Sequence, residues 1–138
     1  MTEIVRFTVP GEPTAKGRAR SFVRNGHVAH YTPEKTARYE NLVKLAAQQA
    51  MQGRAPVDGP LRLTVHAFFS IPASWSAKKR AAAVGKPVIK KPDASNILKA
   101  IEDGMNGVVY IDDAQCAILR ASKSYAEQPR VEIVVEAA

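Results

Sequence analysis

The sequence predicts a single-domain α+β protein: a mixed β-sheet of about five or six strands, with two or three helices packed mainly on one side. Three observations predict this fold. The chain has 138 residues, which is enough for one domain with a real core but not for two. Several short runs alternate between apolar and polar residues, as strands do, and two longer runs repeat every 3.6 residues, as amphipathic helices do. No internal repeat divides residues 1–138.

The first half of the chain combines strands with one long helix. Three strands are predicted there: residues 3–9, 21–24 and 27–31. Asn25-Gly26 separates the last two and is typical of a two-residue hairpin turn. Thr32 as N-cap and Pro33 at the first helical position then predict a helix that extends to about Met51. Its apolar stripe would face the core or a dimer partner.

The second half predicts further strands with helices between them. The strands are expected at residues 61–69, 108–111, 115–124 and 130–135. The region 74–84 predicts a short helix that Ser74 could cap. Residues 94–105 predict a more strongly amphipathic helix, with Asp93 as a natural N-cap.

The helix at 94–105 separates apolar from polar side chains. Its apolar side holds Ile97, Leu98, Ile101 and Met105, and its polar side holds Asn96, Lys99 and Asp103. The apolar side can pack on a sheet, which leaves the polar side facing a ligand or water.

Path length predicts that acidic residues meet beside this helix. About eleven helical residues carry the chain about 16 Å from Asp93, and a strand of about six residues would return it about 20 Å. Asp112 and Asp113 would then lie near Asp93. Each acid alone is more typical of a helix cap or a solvated turn, whereas their convergence favours a site. Within the predicted strand, Asp113 would share the face of Val109 and Ile111, so it ranks above Asp112 as a ligand.

The charge of the chain predicts a polyanionic partner. The net charge is +7, and the isoelectric point is near 9.8. Two basic segments stand out, one with Lys16, Arg18, Arg20 and Arg24, and one with Lys86, Lys90 and Lys91. Small residues between the first four cations would let the backbone approach a phosphate, and arginine can donate two hydrogen bonds to it. The alternative is that both segments are solvated loops.

Composition limits the other classes of protein. One cysteine, Cys116, excludes an intramolecular disulfide and a cysteine-based zinc site. No apolar run is long enough to span a membrane, and residues 1–3 lack the basic start of a signal peptide. We therefore expect a cytoplasmic protein that does not act at a membrane.

Four motifs stand out along the chain: PD-x-x-N-x-x-K, then D-G-x-x-G-V-x-x-x-DD-x-Q, and upstream G-E-P-T-x-K-G-R-x-R and Y-T-P-x-x-T-x-x-Y-E. Together they resemble the RusA family of Holliday-junction resolvases. The resemblance implies a homodimer that cuts four-way DNA junctions with a divalent metal, in recombination and repair, and a bacterial, prophage or phage origin. By matching position it implies two essential carboxylates, Asp93 and Asp113, an essential lysine, Lys99, and a basic DNA contact at Lys123.

One position departs from the family pattern. A third essential acid stands just before the motif asparagine in the best-studied pattern, whereas this chain has Ser95. A hydroxyl binds metal weakly or through water and brings no charge. Either Asp112 or Asp103 compensates, or the metal site is weaker than in the reference members.

The residue types suit the phosphodiester hydrolysis that the resemblance implies. Carboxylates without sulfur ligands favour a hard ion, Mg²⁺ or Mn²⁺. Asp93 and Asp113 are the predicted ligands, Lys99 would neutralise the phosphate or the developing charge, and Asn96 would position a ligand. Two alternatives stay open: a non-catalytic branched-DNA-binding module, and a metal nuclease for flaps or other branches.

Overall fold

The computed structural model describes residues 2–17, 20–31 and 34–138, which form the predicted α+β fold. The strands are β1 (Glu3–Pro10), β2 (Arg20–Arg24), β3 (His27–Tyr31), β4 (Leu61–Ser70), β5 (Cys116–Ala126) and β6 (Arg130–Ala137). The helices are α1 (Glu34–Met51), α2 (Ala77–Ala83) and α3 (Ala94–Met105). A single 3-10 turn, Asp113–Gln115, precedes β5. Thr32 and Pro33, predicted to open the long helix, lie outside the described residues.

Four of these strands form the mixed sheet, in the order β1-β6-β4-β5. The pairs β1–β6 and β4–β6 are antiparallel, and β4–β5 is parallel. The hairpin of β2 and β3 forms a separate two-stranded sheet. The main sheet therefore has fewer strands than the five or six predicted. The hairpin itself was predicted correctly, and Asn25 and Gly26 both have the positive φ that its turn needs.

Two of the helices, α1 and α3, cover one face of the sheet, as the alternation of β4 predicted. Every second residue of β4 from Leu61 to Phe69 is buried, together with the facing residues of β1 and β6. The helices α1 and α3 pack against this face and against each other. His66 lies on the opposite, exposed face.

Two local predictions were wrong. Residues 108–111 are not a strand: Val108 and Val109 both donate their N–H to the Met105 carbonyl, so the chain turns tightly at the end of α3. The side chains of Val108, Val109 and Tyr110 are buried at this turn, whereas Ile111 is exposed. The short helix α2 is capped by Ser76, whose Oγ accepts from the Lys79 N–H, and not by Ser74.

The parallel pairing of β4 and β5 determines where the predicted site residues lie. Parallel neighbours need a long crossover connection, and residues 71–115 provide it. This crossover contains α2, a basic loop (residues 85–92), α3 and the 3-10 turn. It therefore carries the three predicted metal-binding carboxylates and part of the predicted DNA contact, Lys90 and Lys91.

Candidate active site

Asp93 begins α3 at the wall of an open cleft. It occupies the N-cap position, as predicted, but makes no side-chain capping hydrogen bond. The cleft has a volume of about 590 Å³, and its lining includes Gly17, Lys35, Thr36, Lys91, Asp93 and Asn96. A carboxylate, an amide and two ammonium groups therefore share one concave surface. Such a surface can hold a phosphate and a cation together.

Further along α3, alternating charges form a continuous ion-pair network. Lys99 Nζ lies 2.9 Å from Asp113 Oδ2 and 3.2 Å from Asp103 Oδ1. Asp103 Oδ2 lies 3.0 Å from Lys16 Nζ, which in turn lies 2.7 Å from Glu40 Oε2. The structure thus brings together three of the predicted site residues, Lys99, Asp103 and Asp113. The basic residue Lys16 joins them from the N-terminal loop.

The network keeps both lysines charged. The hydrogen bond to Asp113 is the main cause that raises the pKa of Lys99, and Asp103 adds to it against the effect of burial. For Lys16, burial lowers the pKa, but the bonds to Glu40 and Asp103 outweigh it and the net pKa is raised. A lysine of raised pKa acts as a fixed cation and not as a base near neutral pH.

Asp112 takes part in a capping box, so its neighbour Asp113 is the acid that turns toward α3. The Asp112 carboxylate accepts from the Gln115 backbone N–H, and Gln115 Oε1 accepts from the Asp112 N–H. Gln115 Nε2 also donates to the carbonyls of Val57 and Gly59. Sequence reasoning missed Gln115 as a positioning residue, although an acid followed three residues later by glutamine is the pattern of a capping box.

Glu102 is a second residue that sequence reasoning missed. It is only 8% exposed on the core side of α3. Burial raises its pKa, the nearby charges of Asp113 and Asp103 act in the same direction, and Lys99 opposes them. The signal was its spacing, because Glu102 follows Leu98 by four residues and so shares the apolar side of the helix.

The basic residues predicted to contact DNA lie in several environments. Lys90 and Lys91 are exposed in the basic loop that precedes Asp93. Lys123 is partly buried on β5, and its Nζ donates to the carbonyls of Lys90 and Pro92, at 2.7 and 3.0 Å. Lys123 thus holds the basic loop in place, and its DNA contact stays a prediction.

The remaining predictions concern the N-terminal arginines and Ser95. Arg18 lies outside the described residues, and Arg20 and Arg24 begin and end β2. Ser95 is exposed in the first turn of α3. Their roles stay predictions.

Two absences apply to the residues that the structure describes. Within 2–17, 20–31 and 34–138, no three His, Cys, Asp or Glu side chains are grouped closely enough to hold one metal ion. Within the same ranges, each helix is too short or too polar to span a bilayer.

Comparison with known proteins extends the resemblance seen in the motifs. The model of the family described as endodeoxyribonuclease RusA matches residues 10–136, nearly the whole chain. A relative from Bacillus subtilis (strain 168), "Uncharacterized protein YqaN", is 36% identical over 137 residues, which covers 96% of each chain. The matched region contains the cleft, the ion-pair network and the basic loop. This chain therefore belongs to the RusA endodeoxyribonuclease family.

Proposed function

We propose that this protein is a Mg²⁺-dependent endonuclease that resolves four-way DNA junctions by paired symmetric cuts, as a homodimer, in recombination and repair. The observation that carries the proposal is the ion pair of Lys99 with Asp113, in which Nζ lies 2.9 Å from Oδ2. Lys99 stands on α3, the helix that Asp93 begins. A cation between carboxylates, beside a cleft with further cations, suits a reaction in which a phosphate must be held and its charge balanced.

The donor chemistry of the site fits Mg²⁺. Asp93, Asp113 and Asn96 offer only oxygen donors of the type that this hard ion prefers. In proteins Mg²⁺ commonly uses one or two carboxylates and completes its shell with water and substrate phosphates. Asp93 and Asp113 are therefore proposed to hold it, and Mn²⁺ should substitute. When bound, such an ion makes water more nucleophilic and stabilises the charge on the leaving oxygen.

The other residues of the site have separate proposed roles. Lys99 stays protonated and balances the negative charge that grows on the phosphate. Asn96 orients a ligand in the cleft by hydrogen bonding, and Gln115 fixes the turn that presents Asp113. Lys90 and Lys91 attract the DNA backbone toward Asp93. Two cuts in opposed strands need two equivalent sites, which a two-fold dimer supplies.

The test uses a labelled mobile four-way junction, incubated with Mg²⁺, Mn²⁺ or EDTA. We expect the original protein to make paired symmetric nicks that require metal. Asp113→Asn should not cut. It should bind the junction as well as the original protein or better, because a negative charge that repels phosphate is removed. Glu127→Gln, which removes one exposed carboxylate from the turn between β5 and β6, is the matched control and should cut normally. Normal cutting by Asp113→Asn would refute the proposed site.

A second candidate is a non-catalytic protein that binds branched DNA. Ser95 favours it, because a hydroxyl stands where the family pattern has an acid. This candidate predicts tight junction binding without cutting under any metal. Ser95→Asp then distinguishes a weakened site from an absent one, since only a weakened site gains cutting when the carboxylate is restored. Sedimentation of the DNA-free protein tests the dimer, which should show twice the 15.0 kDa of one chain.

A further inference from the structure

Ile89 projects into solvent from the basic loop, residues 85–92, that precedes Asp93. Its side chain is 97% exposed, and it is more exposed than Val23, Ile111 or Leu45, at 73%, 64% and 55%. Its neighbour Val88 is 4% exposed and belongs to the core. The loop therefore buries one apolar side chain and presents the next one to solvent.

The loop is fixed on both sides of Ile89. Before it, Gly85 N–H donates to the Tyr125 carbonyl and Val88 N–H donates to the Lys123 carbonyl, at 2.9 and 3.1 Å. After it, Lys123 Nζ holds the carbonyls of Lys90 and Pro92. An exposed side chain on such a support keeps its direction when it meets a partner. Binding then costs little backbone entropy, because the loop is already ordered.

Exposed cations flank this apolar tip along the sequence. Lys86 lies three residues before Ile89, and Lys90 and Lys91 follow it directly. Lys91 also lines the cleft that contains Asp93 and Asn96. An aliphatic side chain between lysines suits a nucleic acid better than an apolar protein surface, because the lysines can pair with phosphates while the side chain reaches the bases.

We propose that Ile89 is a wedge that inserts between base pairs at the branch point, so that the protein prefers branched to linear DNA. This inference rests on the proposed function. Apolar wedges such as isoleucine partly unstack a base step in several DNA-binding proteins, and the unstacking costs a few kcal/mol in a continuous duplex. At a branch point the stack is already interrupted, so the same insertion costs less there.

The experiment places 2-aminopurine, a base whose fluorescence rises on unstacking, at the branch point of a four-way junction and at the centre of a matched linear duplex. Binding is measured in EDTA, so that no cutting occurs. The original protein should raise the junction signal. Ile89→Ser should lose that rise in fluorescence. Its ratio of junction affinity to duplex affinity should fall about tenfold, while its duplex affinity stays unchanged. Ile89→Leu should retain both. Leu45→Ser, the same kind of exchange on exposed α1, is the control and should behave as the original protein.

The outcomes separate this inference from the proposed function. If the original protein cuts junctions and Ile89→Ser keeps the full signal and preference, the wedge is refuted and the resolvase proposal stands. If the original protein neither cuts nor prefers junctions, both are refuted. If Ile89→Ser sediments as a lighter species than the original protein, Ile89 is a contact between protein chains and the wedge is refuted.

Discussion

Lys99 is the side chain whose environment says most about its chemistry. Two carboxylates hold its Nζ, and its pKa is raised above the ordinary value of 10.5. A base that activates water must lose its proton near neutral pH, and these partners work against that loss. The charge is therefore present at every pH below the ordinary lysine value and disappears only above it. Lys99 is thus expected to act by its positive charge.

This leads to a prediction about pH. Between pH 7 and about pH 9.5, the cutting rate should show no fall that traces to Lys99, because its charge is complete over that range. Lys99→Gln should reduce single-turnover cutting by about 100-fold or more at every pH in this range, while junction affinity changes little. A cutting rate that rises with pH through about pH 8 in the original protein, and that loses this rise in Lys99→Gln, would show that Lys99 is a titrating base, contrary to our assignment.

Between secondary-structure elements, the close contact of α3 with α1 holds the site helix in place. Gly104 lies where the two helices meet, and a Cβ added there would be 2.7 Å from Val43 Cβ and 2.9 Å from the Glu40 carbonyl oxygen. Both distances are shorter than real Cβ contacts, and a backbone oxygen cannot move aside easily. Glycine at this position therefore permits an approach that alanine would prevent.

The contact predicts a reversal of the usual helix preference. Alanine is favoured over glycine within a helix by about 1 kcal/mol, yet Gly104→Ala should lower the free energy of unfolding by about 1–3 kcal/mol through overpacking. Denaturant titration measures the change. As the control, Ala37→Gly at an exposed position of α1 should show the ordinary helix preference and destabilise by about 0.5–1 kcal/mol. A more stable Gly104→Ala protein would mean that the helices separate without penalty.

The elements also show where sequence reasoning succeeds and where it fails. Periodicity predicted β4 and α3 with nearly correct bounds, because each has one buried face and a long enough pattern. It was wrong at residues 108–111, since a short apolar run looks the same whether a strand or a turn buries it. Motifs predicted Lys99 and Asp113 as site residues; the structure joins them in an ion pair, and their roles stay predictions. The partners of Lys16 and Lys123 depend on how distant segments pack, which no local pattern reports.

For the protein as a whole, the net charge of +7 does not tell how many cations are free to contact DNA phosphates. Lys16 is already paired with Glu40 and Asp103, whereas Lys90 is exposed. Any contact that Lys16 makes to phosphate must compete with those two ion pairs. The position of each cation therefore matters more than the total.

Salt titration of binding distinguishes the two kinds of lysine. Each phosphate contact that is lost should reduce the slope of log K against log salt by about 0.9 on duplex DNA. Lys90→Gln should show this reduction and keep its stability. Lys16→Gln should keep the slope and lose about 1–2 kcal/mol of folding free energy, because the partly buried carboxylate of Glu40 loses its lysine partner and Asp103 keeps only Lys99. If Lys16→Gln reduced the slope and Lys90→Gln left it unchanged, Lys16 would be the DNA contact and Lys90 would not.

The position of β6 has a consequence for how the chain is made. It is the last strand along the described chain, yet it lies between β1 and β4 in the sheet. During synthesis on the ribosome, the edges of β1 and β4 that pair with β6 therefore stay unpaired until residues 130–137 emerge. A chain stopped before that point lacks the strand that joins the two parts of the sheet, and we expect chaperones or proteases to receive it. For this protein, termination before β6 should leave no functional product.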